Sequence, residues 1–175
     1  MAAEVIDLRA MIRDIPDYPS PGITFRDITP LVGDGHAFAA TVQRFVDLLA
    51  GTQPDRVVGI ESRGFIFAAP VADRLGAGFV PVRKAGKLPW AVVREEYSLE
   101  YGEDKLEIHR DAIHPGERIL IVDDVLATGG TAAATARLVE TLGGEVVALT
   151  FLLELVALDG RSKLGDRRVE SLVEY

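Results

Sequence analysis

Hydrophobic residues in this chain follow two rhythms. Over residues 35–49 the apolar positions Phe38, Val42, Phe45, Val46 and Leu49 form one stripe of a helix. Residues 4–15 carry Val5, Leu8, Met11, Ile12 and Ile15 at helical spacing, and Pro16 stops that helix. Elsewhere the apolar runs are short and continuous. Residues 57–60, 78–82, 119–122 and 145–155 have the length of buried strands, the last one interrupted by Glu154. Helical runs at 65–75 and 132–142 lie between them. Short strands alternating with helices predict a three-layer α/β fold built on a parallel sheet.

The remaining stretches read differently. Pro16, Pro19 and Pro21 precede Gly22 and Pro30 follows it, which predicts a fixed irregular loop over residues 17–30. In residues 95–109, Tyr97, Leu99 and Tyr101 alternate with polar residues, and Leu106 and Ile108 alternate on the way back. This is a two-stranded excursion turning near residues 102–104, charged enough to read as a mobile hood rather than core. The tail from Asp159 is charged and suggests only an edge strand at 169–173. No repeat or linker interrupts the 175 residues, so a single domain over 1–175 is expected.

Composition narrows the function classes. Hydrophobic residues make up 48%, enough for a full core and against disorder. No apolar run approaches a membrane span. The start, Met-Ala-Ala-Glu, lacks the basic and apolar regions of a signal peptide, and there is no Cys. A cytoplasmic location is the expectation. The net charge of −8 argues against nucleic-acid binding, which needs a basic field. A polyanionic ligand would therefore be held by local cations and metal. His36, His109 and His114 are isolated, with no spacing for a zinc site.

Candidate chemistry concentrates after the 119–122 strand. Asp123 and Asp124 stand at its expected end, followed by Ala127, Thr128, Gly129, Gly130 and Thr131 and then a helix. Glycines let a backbone approach an oxyanion, and the first N–H groups of a helix have no internal partners. Carboxylates accept hydrogen bonds from vicinal hydroxyls. The arrangement suits a phosphorylated sugar. It is not an ATPase-type phosphate loop, because Thr131 stands where the lysine would. Two further motifs follow predicted strands, Glu61-Ser62-Arg63-Gly64 and the basic run with Arg83, Lys84 and Lys87. In an open α/β sheet, ligands bind outside the C-terminal strand ends, where all three motifs converge.

The stretch from Ile119 to Thr131 resembles the signature of the phosphoribosyltransferase family. Four more segments resemble its adenine-specific branch: Tyr18-Pro-Ser-Pro-Gly-Ile-Thr-Phe-Arg-Asp-Ile-Thr-Pro30, Glu61-Ser-Arg-Gly-Phe65, Arg83-Lys-Ala-Gly-Lys-Leu-Pro89, and Tyr97-Ser-Leu-Glu-Tyr-Gly102 with Leu106-Glu-Ile-His109. The resemblance spans roughly residues 12–155. It implies the type I phosphoribosyltransferase fold, transfer of a phosphoribosyl group from phosphoribosyl pyrophosphate to adenine, Mg²⁺ as cofactor, and a homodimer.

The same resemblance implies roles. Residues Ala127 to Thr131 would hold the 5′-phosphate, and Asp123 and Asp124 the ribose hydroxyls, one directly and the other through its neighbour. Mg²⁺ would arrive with substrate and water, Asp123 or Asp124 being the candidates for a direct contact. Glu61, Ser62, Arg63 and Gly64 would form the pyrophosphate loop, with a cis peptide expected at Glu61-Ser62. Arg83, Lys84 and Lys87 would meet pyrophosphate or the ribose-phosphate. Phe25 and Leu155 would cover the two adenine faces, while the backbones of Thr24 and Arg26 read its edge. Ala127 stands where hypoxanthine-guanine enzymes carry an aspartate, so the proton carrier would be Glu100, assisted by Tyr101. Two alternatives stand beside this: the same chemistry on hypoxanthine or xanthine, and a non-catalytic phosphoribosyl-pyrophosphate sensor.

Overall fold

The structure, a computed structural model, describes residues 6–175 except 100 and 101, and describes no side chains over 98–103. The chain divides into two compact units, Met1–Arg44 and Phe45–Tyr175.

In the first unit, a 3-10 turn at Arg9–Met11 leads into β1 (Arg13–Ile15), which pairs antiparallel with β2 (Phe25–Asp27). Helix α1 (Thr29–Gly33) follows, and then the start of α2 (Gly35–Leu48). The helix expected over 4–15 does not form in its described part. Asp7 Oδ1 accepts the N–H groups of Arg9 at 3.0 Å and Ala10 at 3.3 Å, a local turn that competes with helix. Ile12 is already extended, with φ −98° and ψ 123°. Leu8 and Ile12 are buried all the same, so the apolar spacing serves a turn and a strand. The expected 17–30 loop is likewise shorter. Its described turn closes with Gly22 N–H on Asp17 Oδ1 at 2.7 Å, β2 then begins at Phe25, and Pro30 sits in the first turn of α1.

The second unit holds β3 (Arg56–Ile60), α3 (Gly64–Leu75), β4 (Gly78–Lys84), β5 (Val92–Leu99), β6 (Gly102–His109), β7 (Arg118–Leu126), α4 (Gly130–Thr141), β8 (Glu145–Glu154) and β9 (Val169–Glu174). Its sheet runs β5-β6-β4-β3-β7-β8-β9. The five strands from β4 to β9 are parallel, and the β5-β6 hairpin joins β4 antiparallel. Alternation along β3 assigns the layers. Val58 and Ile60 join the cluster that contains Ala132, Ala136 and Leu138 of α4. Gly59, pointing the other way, faces Ala68 and Phe65 of α3. Helices thus cover both faces, as expected for a three-layer fold. Phe45 and Phe67 add a ring contact at 5.7 Å.

Several boundaries differ from the sequence reading. The hairpin belongs to the main sheet: Leu106 and Ile108 are buried in the core, and Glu107 between them is buried against Arg94. Residues 102–104, expected at its turn, already belong to β6, paired with Leu99, Ser98 and Tyr97. Strand β7 continues to Leu126, past the acid pair, because Asp123 and Val125 pair with Phe151 and Leu153 of β8. The 145–155 and 169–173 strands form as expected. Among the described residues no helix is long and apolar enough to cross a membrane.

Phe151 is fully buried at the centre of β8. Phe151→Ala removes its transfer energy and leaves a cavity, so unfolding in urea should show a loss of about 3–5 kcal/mol.

Candidate active site

A cavity of about 310 Å³ lies at the C-terminal ends of β3 and β7, lined by residues 61–63 and 123–132. Its first wall is the turn after β3. The Glu61 N–H donates to Val82 O at 2.9 Å, and the Glu61-Ser62 peptide is cis, as expected. Helix α3 begins at Gly64. A β-carbon on Gly64 would lie 2.5 Å from Asp123 Oδ1 and 3.2 Å from Val122 O, so a bare α-carbon is what lets α3 start against β7.

The second wall is the acid pair. Asp123 and Asp124 are only 8% and 5% exposed. Asp123 Oδ1 accepts the Asp124 N–H at 2.9 Å, and Arg63 Nε lies 2.8 Å from Asp124 Oδ2. That oxygen nevertheless makes no aligned hydrogen bond, so the contact is an ion pair rather than a directed bond. Burial and then the neighbouring Asp124 charge push the Asp123 carboxyl well above its usual range. Burial also raises Asp124, with Arg63 opposing.

The third wall is the loop before α4. Gly129 has φ 78°, a left-handed conformation that favours glycine, and no side chain caps the helix. The leading N–H groups of α4 are thus left for an anion. Thr131 Oγ1 donates to the Tyr97 hydroxyl at 3.4 Å, and Tyr97 donates to Asp104 Oδ2 at 3.3 Å. Lys84 Nζ lies 3.0 Å from the same Asp104 oxygen.

The cavity therefore brings together Glu61, Ser62, Arg63, Asp123, Asp124 and the 127–131 loop, with Gly64 just behind Asp123. The basic group stands apart from its lining. Arg83 and Lys84 belong to β4 rather than to a loop. Glu61 accepts from Arg83 Nε at 3.3 Å, Lys84 N–H at 3.1 Å and Lys87 Nζ at 2.5 Å. Burial would raise the Glu61 carboxyl, but these bonds, Lys87 foremost, hold it below its ordinary value. Leu155 follows β8, half-buried, its N–H on Leu126 O at 2.9 Å. Thr24, Phe25 and Arg26 belong to the first unit, where the Tyr18 ring meets Phe25 edge-on at 5.4 Å. Glu100 and Tyr101 lie outside the described residues. Sequence reasoning missed Val125, Leu126 and Ala132 of the lining, and Tyr97 as the contact to Thr131. Only the continuous apolar register of β7 hinted at the first two.

Among the described residues no cluster of three or more His, Asp or Glu forms a metal cage. The carboxylates of Asp123 and Asp124 are hard oxygen donors of the kind that would suit a cation such as Mg²⁺.

Residues 33–171 match the model of the phosphoribosyl transferase domain. An adenine phosphoribosyltransferase of Anaeromyxobacter dehalogenans is 56% identical over 168 residues, covering 96% of this chain and 98% of its own length. The crystal structure of adenine phosphoribosyltransferase from Thermoanaerobacter pseudethanolicus superposes with a TM-score of 0.94 at 52% identity, covering 96% of this chain and 98% of its own. That from Saccharomyces cerevisiae, complexed with an imino-altritol bisphosphate and adenine, superposes at 0.90 with 42% identity, covering 94% and 96%.

Two outcomes follow from this geometry. A carboxyl whose folded-state pKa is raised favours folding below its unfolded value, near 4, and loses that contribution as pH rises through the folded one. Asp123→Asn should thus match the parent's melting temperature near pH 4 and exceed it increasingly toward pH 8, in metal-free buffer; parallel melting curves would refute the buried proton. Gly64→Ala drives a methyl into Asp123 Oδ1 and Val122 O. It should lower stability by about 1–3 kcal/mol in urea unfolding, and Gly64→Ala on Asp123→Asn should not relieve the backbone clash.

Proposed function

The chain belongs to the phosphoribosyl transferase family, and from that premise we infer its reaction: transfer of the 5-phosphoribosyl group from phosphoribosyl pyrophosphate to adenine, giving AMP and pyrophosphate. It is a transferase of purine salvage. The observation that carries this is identity above one half, over nearly the full length, with proteins named for that activity. The phosphate loop, acid pair and cis-peptide turn around one cavity support it.

In this reading the N–H groups and hydroxyls of Thr128 to Thr131 hold the 5′-phosphate. Asp123 and Asp124 take the ribose 2′- and 3′-hydroxyls. The charge of Asp124, and of Asp123 once it has lost its proton, favours a sugar carbon that turns cationic as the pyrophosphate leaves. The Glu61 to Gly64 turn and Arg63 take the leaving group. Arg83, Lys84 and Lys87 contribute once pyrophosphate competes with Glu61 and Asp104 for them. Mg²⁺, when bound, offsets the charge of pyrophosphate. Phe25 and Leu155 enclose the adenine, and backbone groups of Thr24 and Arg26 read its amino edge; a carbonyl there rejects a 6-oxo purine. With Ala127 supplying no carboxylate, Glu100 handles the proton of the adenine ring and Tyr101 supports it. Residues 1–175 work as one domain, as a cytoplasmic homodimer.

Incubation with labelled adenine, phosphoribosyl pyrophosphate and Mg²⁺ should yield AMP, with hypoxanthine and xanthine turned over far more slowly. A folded protein that makes no AMP sinks this reading. Glu100→Ala should lower kcat by about 10²–10⁴ while phosphoribosyl-pyrophosphate affinity holds. Unchanged turnover removes Glu100 from the mechanism.

A further inference from the structure

The tail beyond Leu155 has no part in the proposed reaction, yet one residue of it touches the phosphate loop backbone to backbone. Gly160 opens a 3-10 turn, Gly160–Leu164, and is buried. A β-carbon on Gly160 would overlap the Ala127 carbonyl oxygen and lie 2.9 Å from Leu126 Cδ1 and 3.1 Å from Gly129 N. The contact is reciprocal. A β-carbon on Gly129 would overlap the Gly160 carbonyl oxygen and lie 3.0 Å from Gly160 C. Two glycine backbones are therefore pressed together, one in the anion loop and one behind it. No rotamer on either side can absorb a change.

Gly160 is itself held from three directions. Asp159 before it takes a left-handed conformation, φ 49° and ψ 40°. Arg161 after it forks onto Glu154 at the end of β8, Nε to Oε1 at 2.8 Å and Nη2 to Oε2 at 2.7 Å. Its Nη1 donates to Val169 O at the start of β9, also at 2.8 Å. Glu154 is buried, receives Ser171 Oγ at 2.8 Å as well, and is held below the usual carboxylate range by Arg161 first. Leu164 closes the turn inside the core cluster. A planar two-toothed pair of this kind fixes orientation as well as distance.

We propose that Gly160 is a positioning residue for the phosphate loop, a backbone wall that sets where the loop's N–H donors point, and that the Glu154–Arg161 pair sets Gly160. The proposal rests on the reading that this loop binds the 5′-phosphate. The physical reason is that oxyanion donors act within narrow geometric limits. A displacement near 1 Å costs on the order of 10²-fold. A methyl at Gly160 meets the Ala127 carbonyl, so the yielding atoms belong to the loop.

The test separates phosphate positioning from general stability. AMP and adenosine differ by the phosphate alone, so their affinities are measured by calorimetry for the parent, Gly160→Ala and Arg161→Lys. Cooperative melting is recorded for each. Gly160→Ala should weaken AMP by about tenfold to hundredfold and leave adenosine unchanged, with KM for phosphoribosyl pyrophosphate rising more than kcat falls. Arg161→Lys, which keeps the charge and loses the fork, should move AMP in the same direction by a smaller factor. If Gly160→Ala does not fold, Arg161→Lys decides alone. Unchanged AMP affinity, or equal losses for AMP and adenosine, overturns the positioning role. A parent protein that makes no AMP from adenine overturns the function instead, whatever the variants do.

Discussion

Two carboxylates on consecutive residues inside a sheet are an expensive arrangement, because burial penalises each charge and each charge penalises the other. Strand β7 carries this pair, and the site is shaped by how it is tolerated. Asp123 is driven toward its neutral form. Asp124 has Arg63 beside it, delivered by the turn between β3 and α3. That turn reaches β7 only because Gly64 leaves room for Asp123 Oδ1. The absent side chain of Gly64 and the Arg63 guanidinium are thus parts of one solution. A vicinal diol suits such a pair, since its hydroxyls meet the carboxylates with donors that carry no charge of their own.

The cations follow a related logic in a chain of net charge −8. Arg83 and Lys87 rest on Glu61, and Lys84 rests on Asp104. Their side chains are 34%, 49% and 56% exposed, so each pair contributes about 0–1 kcal/mol at most. Such bonds exchange readily. In the proposed reaction a polyphosphate with several charges outcompetes a single carboxylate for them. Glu61 then serves as a resting partner that keeps basic side chains ordered near the cavity.

The sequence made the alternation of β3, α3, β4, β7, α4 and β8 legible because each of those strands contains a continuous apolar stretch, buried on both faces in β3, β7 and β8. It also pointed to residues 61–63, 123–124 and 127–131, which share the cavity, and to Gly64 behind Asp123. What escaped it depended on distant partners. Leu106 and Ile108 looked like a surface hairpin because Glu107 separates them. Glu107 is buried through Arg94 and the Gly86 N–H, neither visible in local spacing. The acid pair looked like a strand end, yet β8 supplies partners as far as Leu126. In residues 4–15 the helical spacing was real, but the Asp7 turn and the pairing of β1 with β2 won. The Asp159-Gly160 dipeptide signalled a turn and nothing more, since its contact with Gly129 spans thirty-one positions.

The loop over residues 127–131 is consequently held unequally on its two sides. Behind it, Gly129 and Gly160 meet backbone to backbone, where any approach is met by hard overlap. At its helical end, Thr131 reaches the β5-β6 hairpin only through the Tyr97 hydroxyl, by bonds of 3.4 and 3.3 Å at the long end of the useful range. Breaking such bonds costs roughly 0.5–1.5 kcal/mol each, and the hydroxyls find other partners in water. Moving the tail toward the loop requires displacing the loop itself. The two supports of the loop therefore differ in kind: hard backbone contact on the side of the tail, exchangeable hydroxyl bonds on the side of the hairpin.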